Sequence, residues 1–153
     1  MTAPLDIRRA EPADYPQWRV LWDGYNAFYG REGRTALEEA ITQCTWQRFF
    51  APREPVECLV AVSEGRLVGL THYLFHRSTS RVHDVCYLQD LFTTPALRGR
   101  GIGRNLISGV YDAAQRAGST RVYWQTQATN AAGRALYDKV ARHHGFIVYS
   151  HDL

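Results

Sequence analysis

Lysine is almost missing from this chain: of 18 lysines and arginines, Lys139 is the one lysine. It follows Asp138 rather than a glycine, so a phosphate-binding loop of the Gly-x4-Gly-Lys-Ser/Thr kind cannot be written here. Cysteine is sparse as well. Cys44, Cys58 and Cys86 are odd in number, widely spaced and contain no Cys-x-x-Cys pair, which argues against a zinc ribbon or a disulfide framework and for free, reduced thiols. His72 and His76 would share a helical face, but they lie in a strand-like run where four residues separate side chains by about 13 Å, so no metal is expected. No apolar run approaches the ~20 residues of a membrane helix. The start of the chain, Met1 to Arg9, has no apolar signal-peptide core. Basic runs interleaved with aromatics are absent too, so nucleic-acid binding is not expected. The expectation is a cytoplasmic protein without membrane association.

What is present is ordinary in bulk and informative in detail. At 153 residues the chain is expected to form one domain, residues 1–153, burying roughly 70% of its unfolded surface. Apolar residues make up 45% and charged ones 22%, as in other globular chains. The net charge of +3 is carried by scattered arginines, with a local concentration at Arg98, Arg100 and Arg104 that suits a small polyanion.

Leu5 to Arg9 reads as a short strand. Ala13 to Tyr29 then carries Trp18, Leu21, Trp22, Tyr25, Phe28 and Tyr29 at helical spacing. A second helix is expected from Thr35, an N-cap with Glu38 three residues on, to Phe50, with Pro52 ending it. Val56 to Val62 and Leu67 to Phe75 read as strands joined through Glu64-Gly65-Arg66. Tyr87 to Thr93 is the next strand. Ile102, Leu106, Ile107, Val110, Tyr111 and Ala114 give one apolar face to a helix that Gly118 stops. Arg121 to Thr126 returns as a strand, so the strand, helix and strand imply a parallel pair with a right-handed crossover. A helix from Asn130 to about Arg142 and a last strand, Phe146 to Tyr149, complete the order.

Between strand and helix stands Arg98-Gly99-Arg100-Gly101-Ile102-Gly103. Glycines allow a tight turn and close backbone approach, and the free N–H groups at a helix start present about half a positive charge. A phosphate or pyrophosphate fits there. The dinucleotide pattern Gly-x-Gly-x-x-Gly fails, because its last position falls on Arg104 or Leu106. The turn does match Arg/Gln-x-x-Gly-x-Gly/Ala at Arg98, Gly101 and Gly103, the signature of the GNAT superfamily of acyl-CoA-dependent N-acetyltransferases. The chain resembles that superfamily a second time at Asn130 and Tyr137, in Asn-Ala-Ala-Gly-Arg-Ala-Leu-Tyr. Within it, Tyr87 to Phe92, Val122 to Thr126 and Leu136 to Val140 resemble the histone and polyamine acetyltransferase-like branch.

The resemblance implies an α/β fold: a mixed, mostly antiparallel central sheet with a splayed parallel strand pair, flanked by about four helices. It implies acetyl-CoA as cosubstrate, no metal, and a primary amine of a small molecule or peptide as acceptor. Backbone groups of Leu91, Phe92 and Thr93 would bind the pantetheine arm as an added strand. The N–H groups of Arg98, Gly99, Arg100, Gly101, Ile102 and Gly103 would hold the pyrophosphate, with Arg100 or Arg104 reaching an outer phosphate. Tyr137 would be the general acid for the departing thiolate. Asn130 would touch the cofactor or simply cap its helix. Trp22, Tyr25 and Tyr29 would wall the acceptor pocket or pack in the core, with Gln89 beside them where related diamine acetyltransferases carry a glutamate. Alternation sets Asp90 on the face opposite Gln89, so the base is not named. Cys86 lacks the partners of an activated nucleophile, favouring direct transfer in a ternary complex. A second reading, fed by Gln89, is a non-catalytic acyl-CoA-binding sensor or partner-binding module. A sheet edge left after the last helix allows a homodimer.

Overall fold

Periodicities of two and 3.6 residues sort into a five-stranded sheet whose spatial order follows the chain, in a computed structural model that describes residues 3–153. Met1 and Thr2, part of the chain start read above for a signal peptide, lie outside the described residues. Strands β1 (Leu5–Arg9), β2 (Val56–Ser63), β3 (Arg66–His76) and β4 (Val85–Thr93) run antiparallel in turn, and β5 (Val122–Tyr123) joins β4 in parallel. Helices α1 (Tyr15–Phe28) and α2 (Glu39–Arg48) contribute to the core on one face. On the other face lie α3 (Ile102–Arg116) and α4 (Ala131–Val140).

Alternation along the strands makes two cores. Cys58 and Val60 of β2 and Leu70 of β3 meet Trp18, Leu21, Trp22 and Trp46 of α1 and α2. Leu59 and Ala61 of β2, Tyr73 of β3 and Cys86 and Leu88 of β4 meet Ile102, Leu106, Ile107, Val110 and Ala114, the expected apolar stripe of α3. The β2–β3 turn has two central residues, Glu64 at φ +51° and Gly65 at φ +73°, because Ser63 pairs with Arg66. Positive φ at both positions matches the right-handed twist of the strands it joins.

Several boundaries differ from expectation. Helix α2 starts at Glu39, not Thr35. Thr35 instead closes a separate 3-10 turn: its hydroxyl accepts from the Glu32 N–H at 3.2 Å and donates to the Gly30 carbonyl. Strand β5 spans Val122–Tyr123 rather than Arg121 to Thr126, because the next side chain, Trp124, turns toward Tyr111 and Tyr137. Helix α4 ends at Val140, short of Arg142. Phe146 to Tyr149 forms no strand; it has no ladder partner among the described residues, and Phe146 is 82% exposed. Among the described residues no helix is long and apolar enough to cross a membrane.

Candidate active site

The site begins with the unequal edges of β4. Toward β3 it is paired to its end, through Thr71 opposite Leu91, Leu70 opposite Phe92 and Gly69 opposite Thr93. Toward β5 the pairing covers only Cys86 with Val122 and Tyr87 with Tyr123. From Leu88 to Thr93 the second edge has no strand partner among the described residues. Trp124 is the physical cause of the parting: its ring packs 5.5 Å from Tyr137 and 6.4 Å from Tyr111, which draws the chain toward α3 and α4. An extended ligand with amide groups fits such an edge by adding itself as a strand.

The glycine turn stands at the end of that edge. Gly99 and Gly101 have φ of +78° and +82°, a region that favours glycine, and Gly101 is the N-cap of α3 without any side-chain cap. The first intrahelical bond runs from the Asn105 N–H to the Gly101 carbonyl, so the preceding N–H groups of α3 carry no helical partner. Gly103 lies where an added Cβ would touch Leu136 of α4 at 3.4 Å, which brings the start of α3 against the helix that carries Tyr137. One of the sequence-predicted anion ligands, Arg98, behaves differently from the rest. The Arg98 N–H is turned to the Pro95 carbonyl at 3.4 Å, and its guanidinium lies over the rings of Phe92 and Phe28 at 5.5 and 5.9 Å. Arg100 and Arg104 extend from the turn as exposed side chains.

Tyr137 is half-buried on α4, edge-on to Trp124. Burial, and with it the neighbouring Tyr29 phenol, holds its own phenol above the ordinary value. Such a group keeps its proton through neutral pH and can deliver it to a stronger base. Asn130 caps α4: its Oδ1 accepts from the Gly133 N–H at 3.2 Å, and its Nδ2 donates to Thr126 at 2.9 Å. Burial, then Glu57, pushes the Cys86 thiol up to about 12, which disfavours a reactive thiolate.

On the α1 face the expected aromatic wall divides. Trp22 and Tyr25 are buried and stacked at 5.4 Å, and the Trp22 indole donates to Thr42. Tyr29 is 38% exposed at the end of α1. Arg31 leans over Tyr25 and Tyr29 at 5.8 and 5.5 Å, and its Nε donates to buried Asn26 at 2.7 Å. Gln89 is exposed, and it is the extra residue of a bulge: His72 pairs with Asp90 while Tyr73 pairs with Leu88. The bulge breaks the alternation on which Asp90 was set aside. Leu88 stays on the α3 face, whereas Asp90 and Phe92 turn to the α1 face, where Asp90 meets His72. That pairing is a site feature the sequence reasoning missed.

An open strand edge for amides, a backbone anion site at its end and a half-buried phenol beside both define a transferase that takes its acyl group from coenzyme A. The model of the Acetyltransferase (GNAT) family matches residues 18–146, and the chain belongs to that family, with acetyl-CoA as cosubstrate. It is similar to the D-amino-acid N-acetyltransferase HPA3 of Saccharomyces cerevisiae, 34% identical over 137 residues that cover 88% of this chain and 83% of that one. It also resembles an uncharacterized N-acetyltransferase, YhfO, of Bacillus subtilis, at 27% over 88% of this chain and 87% of the other. Among solved structures, AAC(6')-Iy in complex with a bisubstrate analogue shares the fold with a TM-score of 0.83 at 14% identity, 99% of each chain being covered. Among the described residues no cluster of histidine, cysteine and carboxylate side chains could hold a metal ion.

Proposed function

We propose that this N-acetyltransferase moves the acetyl group of acetyl-CoA to a primary amine by direct attack in a ternary complex, with Tyr137 as the acid for the departing thiolate. The observation that carries this reading is the open β4 edge, bounded at one end by the α3 amides and flanked by Tyr137. Leu91, Phe92 and Thr93 would align the pantetheine arm, and the amides from Gly99 to Gly103, with Arg100 or Arg104, would hold the phosphates. The acceptor would enter from the α1 side, past Tyr25, Tyr29 and Gln89, with Trp22 backing that wall. The name of the yeast relative makes D- and L-amino acids the first acceptors to try, ahead of polyamines, aminoglycosides and basic peptides.

Two further parts belong to the same reading. Three free cysteines suit a reducing, cytoplasmic setting. A homodimer would cover the short β5 edge and the exposed Phe146 to Tyr149 segment, and a monomer by light scattering at micromolar concentration would remove it. The central test is thiol release from acetyl-CoA across the acceptor panel, comparing wild type with Tyr137→Phe. The variant is expected to lose about 100- to 10,000-fold in kcat with its CoA affinity kept. Because the phenol is held above its ordinary value, its contribution persists into alkaline solution and fades only as pH passes that raised value. Unchanged turnover in the variant would remove Tyr137 from the role.

A further inference from the structure

Asp90 and His72 face each other across the β3–β4 ladder, buried to 8% and 2% exposure, and the reading above gives neither a part in holding the cosubstrate. His72 Nδ1 lies 2.9 Å from Asp90 Oδ2, and the Trp18 indole N–H donates to His72 Nε2 at 3.0 Å. An indole only donates, so Nε2 must accept, the imidazole proton sits on Nδ1, and Nδ1 donates to the carboxylate. Rings of Trp18, Trp22 and Phe49, with centroids 4.8 to 5.9 Å from that of His72, fix the imidazole in place. One carboxylate oxygen is thereby anchored.

No cation balances it. Among the described residues the one ion-pair partner of Asp90 is His72, whose tautomer is neutral. Tyr25 from α1, Tyr87 from β4 and Cys58 from β2 face Asp90 and are held in their neutral forms, each raised by burial first and by the Asp90 charge among the lesser causes, to which Tyr25 adds a hydrogen bond to Asp90. Arg31, the cation leaning on Tyr25, is engaged with Asn26 and forms no ion pair with Asp90. A buried carboxylate with only neutral donors is costly to keep, so its retention calls for a partner that brings positive charge. The bulge at Gln89 turns Asp90 to the α1 face, from which the reading above brings the acceptor, immediately before Leu91 on the open edge.

Resting on the acetyl-transfer reading above, we propose that Asp90 receives the acceptor ammonium and takes its first proton, with His72 and Trp18 as positioning residues. The proton passes from nitrogen to the Asp90 carboxylate and then to solvent. The neutral amine forms the C–N bond while the C–S bond breaks. Tyr137 protonates the sulfur, and the second amine proton restores the phenol. One ammonium and one thioester yield one amide, one thiol and one released proton.

The test uses the full chain, an alkylamine acceptor found in the panel, and an analogue whose nitrogen is weakly basic and already neutral at the assay pH. In Asp90→Asn, kcat/KM for the alkylamine is expected to fall about 100- to 10,000-fold and for the analogue less than about tenfold, with CoA binding retained as the control of fold. Equal losses with both amines, or no loss with either, overturn the proposal. His72→Leu removes the N–H that orients the carboxylate, so kcat/KM for the alkylamine is expected to fall more than for the weakly basic analogue; equal changes with both amines overturn the proposal even if Asp90→Asn does not fold. Loss in Tyr137→Phe with Asp90→Asn unaffected overturns the base and leaves the acid, and the reverse pattern overturns the acid alone. A wild type inert toward every amine overturns both.

Discussion

The two faces of the sheet are built from the same strands and differ in what they bury. Against α3 lie Leu59, Ala61, Val68, Tyr73, Cys86 and Leu88, an almost wholly apolar layer. Against α1 and α2 the aromatic layer of Trp18, Trp22, Tyr25, Trp46 and Phe49 encloses Asn26, Thr42, His72 and Asp90, each in contact with a hydrogen-bond partner. The apolar face can be rigid because dispersion and water exclusion need no particular partner atoms. The polar face is specified atom by atom, since a buried donor left alone loses the free energy of its hydration. One face is specified by volume and the other by individual polar partners.

The sharpest way to break the contrast is a cavity on the α3 side. Leu106→Ala, at a fully buried position, is expected to cost about 2–5 kcal/mol in denaturant unfolding and to leave kcat/KM nearly unchanged while the protein is folded. A large loss of kcat/KM with little loss of stability would mean that the two faces are not separable. On the other side, Thr42→Val keeps the shape and removes the acceptor of the Trp22 indole, leaving a buried N–H unpaired. The expected cost is about 1–3 kcal/mol, and a double-mutant cycle with Trp22→Phe should recover part of it.

The smallest effect lies at the margin of the aromatic side, where Arg8 bonds both oxygens of Asp14 at 2.8 and 3.0 Å. That pairing, above all, holds the Asp14 carboxyl below its ordinary value. Its folded value being lower than its unfolded one, the pairing contributes fully above the ordinary carboxylate range of about 4 and is lost as pH falls through the folded value. Asp14→Asn should therefore destabilise the protein at neutral pH and flatten the acid side of a stability profile below the ordinary carboxylate range of about 4. An acid side as steep as in the wild type would assign that loss to other carboxylates.

Much of this division could be seen in the residues. The α3 stripe, the alternation of β2, the turn at Gly65 and the glycine turn before α3 are local patterns, and each formed where local chemistry put it. Helix α2 was placed too early because Thr35 and Glu38 satisfy the spacing of a capping box, whereas Thr35 pairs backward with Glu32. The Phe146 to Tyr149 segment has the composition of a strand, but composition does not supply a partner edge. The His72–Asp90 pair was hidden for a different reason: it depends on register between two strands, which joins residues 18 positions apart, and on a bulge at Gln89, a residue with no special backbone preference. Strict alternation, applied across that bulge, placed Asp90 on the wrong face.

The bare N-terminus of α3 has a consequence for how such a protein changes over generations. That terminus presents peptide N–H groups, with glycine favoured before it where φ reaches +78° and +82° and no capping side chain to preserve. Most substitutions leave a main-chain amide intact. Drift in side chains can thus rework the wall around Tyr25, Tyr29 and Asp90 while those main-chain groups survive, so that on the proposed reading new acceptors would arise by revising one half of the molecule at a time.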